Sequence, residues 1–206
     1  MNTLALASIV VLASFALLYF AAALVARRSR APAPDAGRLF ARAVWPTLVP
    51  VFVAALVLLP SFLWHEAPQQ DEWPGAILVL LALAGGARLG VNLIRAIRTL
   101  VASRALVRAW QRGATPLPHE PWGLRASKID TGFPVVAVAG LFTPHVFVDR
   151  RVLDACSPAE LAAVAAHERA HVAVRDNLRR LMIAACAGLA SDTAVAWRAA
   201  AERAAD

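Results

Sequence analysis

Leu4 to Val25 runs for 22 residues without a charged side chain. A bilayer's hydrocarbon core is about 30 Å thick, and a helix rising ~1.5 Å per residue crosses it in about 20 residues. Lipid offers no partners to backbone N–H and C=O groups, so a run of this kind has to be helical. It lacks a basic leading region and is followed at once by Arg27, Arg28 and Arg30, the pattern of a retained anchor rather than a cleaved leader. The rest of the chain agrees. Hydrophobic residues make up 59% and charged ones 17%, with a mean hydropathy of +0.58. That is more apolar surface than one water-soluble core of this size needs.

A second span is expected over about 43–64, kinked by Pro46, Pro50 and Pro60. A third is expected over about 75–97. Arg88 interrupts it, and two readings stay open there: Arg88, Asn92 and Arg95 line one inward face, or the span ends early with Arg88 at the interface. The residues from Leu178 to Leu189 suit a fourth span, a partial insertion or a buried helix. Arg27, Arg28, Arg30, Arg38 and Arg42 lie between the first two spans, and Arg98, Arg104, Arg108 and Arg112 follow the third. The loop between spans two and three holds His65, Glu66, Asp71 and Glu72 without a basic residue. The positive-inside rule then places the amino terminus outside and the region after 97 in the cytoplasm. Trp45, Trp64 and Trp73 fall at span ends, where indole rings favour the interface.

The net charge of +7 does not mark a nucleic-acid binder. Twenty of the 21 basic residues are Arg, they flank apolar segments, and no recognition motif accompanies them. Cys156 and Cys186 are far apart and read as free thiols, not as a disulfide scaffold or a thiolate metal site.

Beyond the spans the pattern changes. Residues 113–132 carry turn formers and no apolar period, and are expected to be a linker or ordered loop. Pro134–Ala139 and His145–Asp149 are β-rich runs joined through Gly140, Thr143 and Pro144, the signature of a hairpin whose edge could pair with an extended peptide. Ser157-Pro158-Ala159-Glu160 is a helix start with a capping box. The helix it opens leads into His167-Glu168-Arg169-Ala170-His171. Residues four apart share a helix face, so both imidazoles can reach one metal ion, while Glu168 stands beside it as a base. Such a pattern suits Zn²⁺, which takes neutral nitrogen ligands and keeps an open position in catalytic sites.

Two histidines need a third ligand. The arrangement with a further ligand six residues after the second His and a Gly halfway is not met, because those positions are Asn177 and Val174. Glu202 is the better candidate. In Glu202-Arg203-Ala204-Ala205-Asp206 both carboxylates fall on one helix face, so Glu202 can ligate while Asp206 supports a ligand imidazole. Asp176 reads as a helix cap or as a second supporting carboxylate. Arg175 and His145 are candidates to meet the oxyanion of a transition state, with His119 behind them. Tyr19, the only tyrosine, lies in the first span and cannot take that part.

The expected fold is therefore a mainly α integral membrane protein with three spans, a fourth remaining open, and a small α+β region containing a β-hairpin. The expected division is a membrane domain at 1–112, a linker at 113–132 and a metal-binding region at 133–206.

Gly140-Leu141-Phe142-Thr143-Pro144 onward to Val148, the helix entry Ala155–Leu161, the His167–His171 pentapeptide and Arg175-Asp176-Asn177-Leu178 together resemble the BlaR/MecR-type membrane metallopeptidases. These are signal-transducing gluzincins, and the HtpX and prenyl-protein protease type is a related neighbour. The resemblance covers about residues 134–206. It implies a gluzincin-like zinc endopeptidase with one Zn²⁺ per chain, His167, His171 and Glu202 as ligands and Glu168 as base. It also implies hydrolysis of a protein or peptide substrate at the cytoplasmic face. No extracellular sensor domain follows, so β-lactam sensing is not expected, and relatives usually continue beyond the position of Asp206, so a short or truncated form is expected. The alternative is a non-catalytic membrane transducer that keeps the peptidase fold and binds a partner.

Overall fold

The computed structural model of the chain describes residues 3–28, 35–65, 74–186 and 191–206. Arg30, Glu66, Asp71, Glu72 and Trp73, used above to orient the chain, lie outside the described residues, as do 187–189 of the fourth candidate span. Three described helices are long and apolar enough to cross a membrane.

The first is α1 (Thr3–Arg28). The second starts earlier than expected, at Ala36, because Asp35 caps it by accepting the Arg38 backbone N–H at 2.7 Å. It runs as α2 (Ala36–Val53), a π-helical stretch (Ala54–Leu58) and α3 (Leu59–His65) without a break. The widened turn comes just before Pro60, whose ring would press on the Leu56 carbonyl of a regular helix. The third, α4 (Ala76–Gln111), continues well past Ile97, since no Gly or Pro follows until Gly113. No fourth span forms among the described residues. Leu178 and its successors belong to α7 (Asp176–Cys186), 11 residues long and about half the length a span needs.

The described chain divides into two compact units, Met1–Arg95 with Ile183–Ala196, and Ala96–Met182 with Trp197–Asp206. In the first unit Phe15, Tyr19 and Ala23 of α1 form a core with Ala54. Leu17, Phe20, Phe52, Leu56, Ile77 and Leu80 remain exposed, a surface that lipid can solvate and water cannot do cheaply. Arg88 does not mark an early end of its helix. Its guanidinium lies 4.7 Å from the centre of the Tyr19 ring and donates to the Cys186 carbonyl at 3.2 Å, so it faces protein.

Helices α1 and α4 meet at Gly85, where an added Cβ would lie 2.2 Å from the Leu12 carbonyl oxygen. Small residues allow this close approach in membrane helices. Gly85→Ala is expected to lower the melting temperature in detergent by several degrees, an overpacking cost of about 1–3 kcal/mol. Gly90→Ala, where a Cβ meets nothing within 4 Å, is the control. Equal melting of the two variants would contradict the close contact.

The second unit is built on a four-stranded sheet, ordered β1 (Thr115–Pro116), β2 (Ala126–Ile129), β4 (His145–Asp149), β3 (Val136–Ala139). The expected hairpin is present as the antiparallel pair β3–β4, with Val136 opposite Val148 and Ala139 opposite His145. The segment 113–132 is not only a linker, because it contributes β1 and β2. Neither strand announces itself. β1 has two residues, and β2 lies parallel to the central β4, so Ala126, Ser127 and Ile129 are all buried and no alternation appears.

On one face of the sheet Val146 and Val148 pack with Trp122 and Ala165 of α6 (Pro158–Ala173). On the other, Phe147 meets Trp110 edge to face at 5.3 Å and packs with Val107. β4 leads into α5 (Arg150–Ala155), and the chain closes with α8 (Ser191–Ala205).

Asp149 ends β4 fully buried and caps α5. Its carboxylate accepts the backbone N–H groups of Thr131 and Arg151, each at 2.9 Å, and the Thr131 hydroxyl at 3.0 Å. The Thr131 and Arg151 N–H groups hold its pKa below the usual carboxylate value. A depressed folded-state pKa gives stability that is present above the unfolded value of about 3.9 and is lost as pH falls through the folded value. Asp149→Asn should therefore melt well below the parent at pH 7, with the gap closing below about pH 4. A gap independent of pH would refute this role of the charge.

Candidate metal centre

The capping box expected at Ser157 forms. Ser157 accepts the Glu160 N–H, and the Glu160 carboxylate accepts the Ser157 N–H at 2.8 Å, so Glu160 has a structural task. It starts α6 in a register that carries His167, Glu168 and His171 to the floor of a cleft of about 520 Å³. The cleft is walled by β3, the 140–144 turn and the residues around Arg175–Arg180, with Glu202 at its rim.

Helix α8 buries Trp197, Ala200 and Ala201. That burial sets the rotation of the helix and leaves Glu202 and Asp206, one turn apart, to the histidines. Glu202 Oε2 lies 3.3 Å from His171 Nε2 and 3.6 Å from His167 Nε2, and the two Nε2 atoms are 3.1 Å apart. Ligands about 2.0–2.2 Å from a tetrahedral zinc stand about 3.3–3.6 Å from one another. The three donors, two imidazole nitrogens and one carboxylate oxygen, therefore fit a zinc ion in both spacing and chemistry.

The outer partners agree with that fit. Asp176 Oδ2 lies 2.7 Å from His171 Nδ1, and both side chains are buried. Asp206 Oδ1 lies 3.1 Å from His167 Nδ1. A carboxylate on Nδ1 keeps the ring proton there and leaves the Nε2 lone pair for a metal. Asp176 stands at the start of α7, but its carboxylate is committed to His171 through Oδ2, and its Oδ1 has no partner among the described residues, so the cap reading fails. Arg180 donates to the remaining Glu202 oxygen at 3.4 Å.

Glu168 is half-buried beside the pair and lines the cleft. Burial raises its pKa above the ordinary value, opposed in part by His171 and His167 and by the Val138 N–H that it accepts.

The other sequence candidates separate. Arg175 lines the cleft, in a left-handed backbone conformation (φ 54°) that turns the chain from α6 into α7. His145 does not. Its Nε2 lies 2.9 Å from Ser127 Oγ on the neighbouring strand, and its ring lies tilted against Phe147 with centroids 4.6 Å apart, so it lines a different hollow and is not an oxyanion candidate. His119 is exposed and lines neither hollow. Two residues of the site escape sequence reasoning. Arg180 leaves no trace there. Asn177 ties α7 to β3 by donating to the Val138 and Gly140 carbonyls at 3.0 and 3.1 Å, and its place in the Arg175–Leu178 motif is its only signal.

Among known protein families, residues 101–205, just over half of the chain, match the model of peptidase family M48. No curated protein matches the chain.

Proposed function

The chain belongs to peptidase family M48, a family of zinc metallopeptidases, and from that premise we propose that it is a membrane-embedded zinc endopeptidase cleaving a protein substrate at the cytoplasmic face. The observation that carries the reading is the convergence of His167, His171 and Glu202 with both Nδ1 atoms held by carboxylates. The arginines flanking the spans support the orientation. The likeness to BlaR/MecR-type peptidases is narrower than the family match. It rests on the motifs flanking the pentapeptide, and a role in signal transduction rests with it.

His167, His171 and Glu202 hold the metal, and Asp176 and Asp206 fix the imidazoles. When bound, zinc supplies a Lewis acid for the scissile carbonyl and lowers the pKa of water towards ~7. Glu168 accepts the proton of the attacking water and returns it to the leaving amine nitrogen. Burial raises its pKa above the ordinary carboxylate value, which makes it a stronger base. Arg175 is our candidate for the oxyanion.

The substrate is expected to lie along β3, an edge strand of the sheet and one wall of the cleft. The backbone of Val138 is already engaged by Glu168 and Asn177, so Val136, next on the same edge, is the position open to strand addition.

The test is the zinc-to-protein ratio of the detergent-purified full chain, with hydrolysis of an unstructured protein such as casein measured before and after chelation. One zinc per chain and chelator-sensitive cleavage are expected. A chain without zinc would hand the site to the alternative, a non-catalytic transducer with a peptidase fold.

A further inference from the structure

A second hollow in the same unit has a chemistry the peptidase reading does not use. It encloses about 860 Å³ between the last turns of α4, the strand-leading residues Leu124 and Arg125, and the 140–145 turn. Arg104 and Arg108, one helical turn apart, and Arg125 present three guanidinium groups to it. All three are exposed, and none meets a carboxylate among the described residues. Arg108 spends only its Nε on the Arg104 carbonyl, leaving its other N–H groups open.

Among the described residues, no acidic one lines the hollow. His145 adds little charge near neutral pH, because burial and the neighbouring Arg125 both lower its pKa. The remaining walls combine the polar side chains of Ser103, Gln111 and Thr143 with apolar Leu100, Val107, Leu141 and Phe142, the last 78% exposed at the tip of the turn.

Position along α4 says what such a mixed surface could meet. The apolar stretch of this helix suits a bilayer core and ends near Ile97. Arg104 follows by about 10 Å of helical rise. A headgroup layer adds only about 5–8 Å to each side of the hydrocarbon. Arg104 therefore stands just beyond the phosphates, and Arg108, about 6 Å further along the helix, can reach back to them along its side chain, while Arg125 and exposed Phe142 line the same hollow.

We propose that this hollow binds the headgroup of an anionic phospholipid, with Arg104, Arg108 and Arg125 on the phosphate and Phe142 and Leu141 against the glycerol and upper acyl carbons. Guanidinium forks match phosphate oxygens bidentately, and aromatic rings favour the membrane interface. A free phosphate would satisfy the arginines but would leave exposed Phe142 unexplained. The proposal stands apart from proteolysis, since none of these arginines belongs to the metal centre.

The test is native mass spectrometry of the detergent-purified full chain titrated with phosphatidylglycerol or with phosphatidylcholine. Phosphatidylglycerol should be retained about tenfold more tightly, in line with the usual attraction of juxtamembrane arginines for anionic lipid. The double variant Arg108→Gln with Arg125→Gln should bring the two lipids to near parity. Arg150→Gln with Arg203→Gln removes the same net charge outside the hollow and should keep the preference. A variant-free arm uses photoreactive phosphatidylglycerol on the parent protein, with cross-links expected in the 100–111 and 141–145 peptides. Equal loss in both double variants, cross-links confined elsewhere, or displacement of the lipid by an equal concentration of inorganic phosphate would each overturn the proposal.

Discussion

Glu168→Gln should leave the chain folded and zinc-loaded while peptide hydrolysis falls by about 10²–10⁴-fold, the usual contribution of a positioned general base. The amide matches the carboxylate in size and still accepts the Val138 N–H, so the cleft wall keeps its shape. It cannot take a proton from water at neutral pH. The residue is not among the three metal donors, so zinc content should match the parent. Zinc per chain and the turnover number, measured on one preparation, separate the two effects. Parent-like turnover in the variant would remove Glu168 from the mechanism.

Glu202→Ala should have the larger effect on the metal itself. Two imidazoles alone do not make a catalytic zinc site, which normally has three protein ligands. Glu202 is about half exposed and its helix is anchored by Trp197, Ala200 and Ala201, so the truncation should spare the fold. Zinc retained against a graded chelator series should drop by more than the about 10–100-fold that loss of a supporting carboxylate costs. Asp176→Asn provides that comparison, because it removes the charge on His171 Nδ1 and leaves all three donors in place. Full zinc occupancy in Glu202→Ala, with normal circular dichroism, would mean that another group completes the site.

Some of this site could be read from one dimension because its parts repeat at one helical turn. His167 with His171, and Glu202 with Asp206, are pairs four residues apart, and each pair shares a face whatever the rest of the chain does. Asp176 was ambiguous for a physical reason. A carboxylate at a helix start can serve its own helix or a neighbour, and only the sharp turn at Arg175 decides for His171. His145 failed as a candidate because β4 is buried on both faces, and pairing with β2 commits its ring to Ser127. The strands in 113–132 were hidden for a related reason. A short parallel strand at the centre of a sheet has no polar face to alternate with.

What the sequence determined by itself was local. It specified the three apolar helices, the capped start of α6, the β3–β4 hairpin and the imidazole pair with Glu168 beside it. These follow from hydropathy, capping chemistry and backbone periods that act over a few residues. What the tertiary structure decided was which distant groups meet. Glu202 reaches His171 across 31 positions because α8 is rotated by the burial of Trp197. Asn177 ties the sheet edge beside Glu168, Arg180 meets Glu202, and three arginines line a second hollow. Long-range contacts depend on how whole elements pack, and packing is a property of summed buried surfaces that no single stretch of the chain encodes.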